Sequence, residues 1–65
     1  MNSAATVRAF QQSIMALAQS KLGRPLTAQE DAFIAARGGF LALEAIRDTV
    51  TAVTPAELEE YLNAE

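Results

Sequence analysis

The chain contains no cysteine, no histidine and no tryptophan, and only two prolines and three glycines among 65 residues. Without cysteine there are no disulfides, which are the usual reinforcement of a fold this small. Without cysteine or histidine a zinc site would be all carboxylate, a poor match to the nitrogen and sulfur ligands that zinc prefers. The same two absences remove the commonest nucleophile and general base. Ser3, Ser13 and Ser20 have no base in local reach, and the carboxylates are expected on caps and exposed faces. A helical chain of this length has little room for a ligand cavity of roughly 300 Å³. The sequence therefore predicts a protein that is not an enzyme and takes no cofactor.

No apolar run approaches the roughly 18–20 residues that span a bilayer. The opening "MNSAATVRAF" has neither the basic nor the apolar region of a secretory signal, so a cytoplasmic location is expected. Membrane-surface binding is disfavoured as well, because the polar side of the first helix carries Gln, Ala and Ser rather than Lys and Arg.

Charge is unevenly spread. Residues 1–37 carry four basic and two acidic side chains, and residues 38–65 carry one basic and six acidic ones. That polarity disfavours a phosphate-binding surface on the second half.

What is present is helical periodicity. Val7, Phe10, Ile14, Leu17 and Lys21 recur at intervals of three and four, which predicts an amphipathic helix over about 4–22 with that seam facing the core. Asn2 or Ser3 is its expected cap; Gly23 and Pro25 end it. "TAQE" reads as a capping box, Thr27 with Glu30, opening a second helix at 28–37 whose large apolar residues are Phe33 and Ile34. Gly38-Gly39 then intervenes. Two glycines inside a continuing helix cost roughly 2 kcal/mol, and the apolar stripe shifts phase across them, so a break or kink is expected before a third helix at 40–51. "VTPAEL" supplies a second capping box, Thr54 with Glu57, and Pro55 at the first helical position of a fourth helix at 55–63. The fold expected is all-α: a single helical domain, 1–65, in a small bundle of three to four short helices completed by self-association.

Two readings compete for the glycine pair. As a helix-turn-helix, residues 28–37 form the supporting helix and 41–50 the recognition helix, with Ala35 at the crossing, Gly39 left-handed and Ile46 a buried anchor. "LALEAIRDTV" is poor in the Arg, Lys, Asn and Gln that address bases and phosphates, and its carboxylates repel phosphate, so a DNA-binding transcriptional regulator is the alternative. The favoured reading is a hinge that permits a close helix crossing.

Partner binding absorbs more of the sequence. Phe10, Met15, Phe33, Phe40, Leu41 and Tyr61 exceed what so short a chain is expected to cover by itself, and the third helix reads as apolar around much of its circumference. The function predicted is a small protein–protein interaction module, acting as regulator, adaptor or stoichiometric inhibitor and itself a homodimer. Phe40, Leu41 and Leu43 are the expected contact, with Arg37 and Arg47 as flanking anchors. Glu57, Leu58, Glu60 and Tyr61 on the acidic last helix form a second candidate surface for a basic partner.

Overall fold

The structure is a computed structural model that describes residues 4–64. Four helices account for its regular structure: α1 (Ala4–Leu22), α2 (Ala28–Ala35), α3 (Phe40–Ala52) and α4 (Pro55–Leu62). The expected cap at Asn2 or Ser3 and the acidic terminus Glu65 lie outside the described residues.

The helix ends follow from local chemistry. Both capping boxes form: Thr27 accepts from the Glu30 N–H while Glu30 accepts from Thr27 N–H, and Thr54 and Glu57 repeat the exchange. Gly23 ends α1 in the left-handed region at φ 73°, with its N–H and that of Arg24 both bonded to the Gln19 carbonyl. Helix α2 stops at Ala35, two residues short of the expected 37. There the Arg37 N–H turns back to the Ile34 carbonyl, and the Gln11 side chain of α1 donates to the carbonyls of Ala35 and Arg37. Lys21 does the same for α3, donating through Nζ to the carbonyls of Thr51 and Val53, where a cation also suits the helix dipole. Two polar side chains of α1 thus close the far ends of its neighbours.

Helix α1 is the axis of the bundle, packing against α3, α2 and α4, and α2 also packs against α4. By contrast α2 and α3, although consecutive, meet only marginally. The core consists of Ile14, Ala18, Ile34, Leu43, Ile46, Val50, Leu58 and Leu62. On α1 the buried line runs through Ile14 and Ala18. Leu17, expected on the seam, is turned outward and 40% exposed. An α1 that touches three helices needs its inner stripe rotated toward the small Ala18, where a neighbour can approach closely.

The aromatic rings cover one another. Phe10 and Phe40 lie 5.7 Å apart between centroids, and Phe33 meets Tyr61 edge-on at 5.0 Å. All four are half-buried, and Phe10, Phe33 and Tyr61, with Met15, pack against the core. Helix α3 buries one face only, Leu43–Ile46–Val50, and is not apolar all round. Of the described large hydrophobic side chains only Leu17 and Leu41 are exposed. The surplus of uncovered apolar surface expected from composition is therefore small, and ring pairing is the reason.

Candidate functional site

Both sequence readings of the turn between α2 and α3 need correction. Gly39 is the N-cap of α3 with extended backbone, φ −99° and ψ 140°, and is not left-handed. Ala35 is exposed and stands at no crossing; Ile46 is buried, as a core residue of α3. A helix-turn-helix needs its two helices packed on each other, and α2 and α3 are not. The close crossing fails too: a Cβ placed on Gly38 or Gly39 would meet nothing within 4 Å.

What the turn does is present side chains. Leu41, in the first turn of α3, is 83% exposed. Phe40 beside it is half-buried against Phe10, and the Arg47 guanidinium lies 5.7 Å from the centre of the Phe10 ring. Arg47 also reaches Asp48 at 3.5 Å, a weak pairing in water. Arg37 sits instead over Phe33, 5.3 Å from its centroid, and so belongs to the Phe33–Tyr61 pair. The two arginines expected to flank one patch are thus held by different ring pairs. Leu43 must be removed from that patch, because its side chain is fully buried among core residues and offers a partner nothing.

The second candidate surface is thinned in the same way. Leu58 is fully buried, Tyr61 is half-buried against Phe33, and Glu57 is engaged by the Thr54 cap. Glu60 is exposed and, with Ala56, Glu59 and Asn63, lines an open depression on α4.

The residue that sequence reasoning misplaced most is Glu30. It was expected as an exposed cap, yet its side chain is 1% exposed. Four donors satisfy its two oxygens. Oε1 accepts from Arg24 Nη1 at 2.8 Å and from the Thr27 N–H at 2.9 Å. Oε2 accepts from Arg24 Nη2 and from Asn63 Nδ2, both at 2.9 Å. Glu59 approaches the same guanidinium at 3.6 Å. The forked bond from Arg24 holds the Glu30 carboxyl far below the usual carboxylate range; burial opposes this, and Thr27 and Asn63 reinforce it. A carboxylate so fixed stays ionised at neutral pH and has no proton to give. The cluster joins the loop after α1, the start of α2 and the end of α4. The capping motif gave a signal for the Thr27 bond alone, since Asn63 lies 33 residues away in sequence.

Among the described residues no three carboxylates converge to hold a metal ion, and no helix is long and apolar enough to cross a membrane. Compared with protein-family models, curated proteins and solved structures, the chain matches none.

Proposed function

We propose that the chain is a non-enzymatic binding module that acts by occupying a surface of a protein partner, as a regulator, adaptor or stoichiometric inhibitor. The surface is centred on Leu41 at the α2–α3 turn, with Phe40 and Arg47 on one side and Arg37 on the turn itself. The observation that carries this reading is the 83% exposure of Leu41 when, among the described residues, the other large apolar side chains, Leu17 apart, are buried or half-buried. An isobutyl group held out at the start of a helix suits an apolar socket on the partner. Burying such a side chain is worth about 1.5–3 kcal/mol, enough to set affinity by a factor of ten or more. The non-enzymatic reading is supported by Glu30, the buried carboxylate among the described residues, being held in its ionised form by Arg24.

The test compares proteins captured from a cell extract by the wild type, Leu41→Asp and Leu41→Met. Since Leu41 contributes little to the core, all three are expected to keep the same helical circular dichroism and melting temperature. The reading predicts partners retained by the wild type and Leu41→Met and reduced at least tenfold by Leu41→Asp. Identical captured sets for all three would contradict it.

A further inference from the structure

Beyond Gly39 standing as the N-cap of α3, the folded chain gives its glycine pair no steric or left-handed task. Neither Gly38 nor Gly39 has a positive φ, and neither is approached by another group that a side chain would displace. Their effect must lie in what the chain would do without them. On either side stand good helix formers, Ala35-Ala36-Arg37 and Leu41-Ala42-Leu43. With residues other than glycine at 38 and 39, one helix could run unbroken from α2 into α3.

The arrangement of contacts shows what such a helix would cause. The extended interfaces α1·α3, α1·α4 and α2·α4 all lie between the first half, α1–α2, and the second, α3–α4. So do the Glu30–Asn63 bond, the bonds from Lys21 to Thr51 and Val53, and both ring pairs. Helices α2 and α3, on either side of the turn, share almost nothing. Opening the turn at 36–39 therefore sacrifices no substantial α2·α3 packing, and every interface between the halves can re-form with the second half of another molecule.

We infer that the chain can exchange its α3–α4 half with a second copy of itself, residues 36–39 serving as the hinge, and that Gly38-Gly39 holds the balance toward the closed monomer. In the exchanged dimer α2 and α3 extend away from each other, and each α1 receives the α3 and α4 of its partner. The symmetry is two-fold and closed, so assembly stops at two chains. The glycines oppose exchange by making a continuous α2–α3 helix costly.

Two measurements test this together. In the first, unlabelled and heavy-isotope-labelled chains are either mixed while folded or unfolded together in denaturant and refolded at high concentration. Native mass spectrometry then reads the dimers. The inference predicts that mixed dimers of about twice 6.9 kDa form directly on joint refolding and only as slowly as the chains unfold when folded protein is mixed, because exchange requires the halves to separate. Mixed dimers that form from folded chains faster than the chains unfold would mean side-by-side docking and would overturn it, as would a monomer alone after refolding.

In the second, the double variant Gly38→Ala, Gly39→Ala is compared with the wild type. A Cβ is sterically free at both positions of the closed chain, alanine at 39 is the poorer cap for α3 in that form alone, and its entropic benefit over the unfolded state is common to both folded forms. The variant is expected to keep its helix content and to shift the monomer–dimer balance toward dimer by more than about tenfold. An unchanged balance would overturn the role given to the glycines. Neither measurement involves Leu41 or its partner, so each can fail independently of the binding surface.

Discussion

The two ends of the bundle are fastened by different means. Where the α1–α2 loop, the start of α2 and the end of α4 meet, polar groups do the work: a buried carboxylate with four donors and a side-chain cap on α2. Where the α2–α3 turn meets α1, the fastening is two phenylalanine rings tilted against each other and the Gln11 side chain, and α3 begins on a glycine with no side-chain cap and no acidic residue in its first turn. The first end has specific geometry and little exposed apolar surface. The second carries the exposed leucine and the glycine pair. A chain of 65 residues with no disulfide has a stability of roughly 3–10 kcal/mol to distribute. The directed bonds define one end, and the other carries the features on which the proposed contact and exchange rest.

That contrast can be broken at its strong end first. Glu30→Gln keeps the shape of the side chain but removes the charge that Arg24 and Asn63 surround. Breaking a fully buried pair costs about 3–5 kcal/mol, but Arg24 is one-third exposed and keeps Glu59, so water relieves much of that cost. A loss of about 2 kcal/mol in urea unfolding is expected, a large share of the whole; no measurable loss would mean that the cluster is decorative. Next, Thr54→Ala removes one capped helix start and should cost about 1 kcal/mol by the same measurement. The smallest effect sharpens the contrast from the open end. Gly39→Asp supplies α3 with the missing acceptor and a negative charge at its N-terminus, and should raise the unfolding free energy by about 0.5 kcal/mol. No gain there would show that the start of α3 is satisfied by other means.

Legibility in the sequence followed the distance over which each feature is decided. Thr27, Thr54, Pro55 and Gly23 act on residues within a few positions of themselves, and their signals marked helix ends that the structure places within two residues of those positions. The inner line of α1 was read one position off, at Leu17 rather than Ala18, because hydrophobicity identifies the greasier residue and not the one that three neighbours allow inside. Leu43 and Leu58 were assigned to surfaces when they are core, since a run of apolar residues on a short helix does not say which of them the fold will bury. Ring pairing was invisible for a related reason: Phe10 with Phe40 and Phe33 with Tyr61 are partners across about thirty residues. Glu30 was the furthest from view, its burial decided by Arg24 on one side and Asn63 on the other.

The central claim, that an ionised Glu30 secures the polar end, is most directly tested by measuring the unfolding free energies of the wild type and Glu30→Gln against pH. The carboxyl is held below its ordinary value in the folded chain, so its stabilisation is complete above the unfolded value of about 4.3 and is lost as pH falls toward the depressed folded value. The gap between the two proteins should be constant from neutral pH down to about 5 and narrow steadily below 4. A gap that stays the same at pH 2 as at pH 7 would contradict the account.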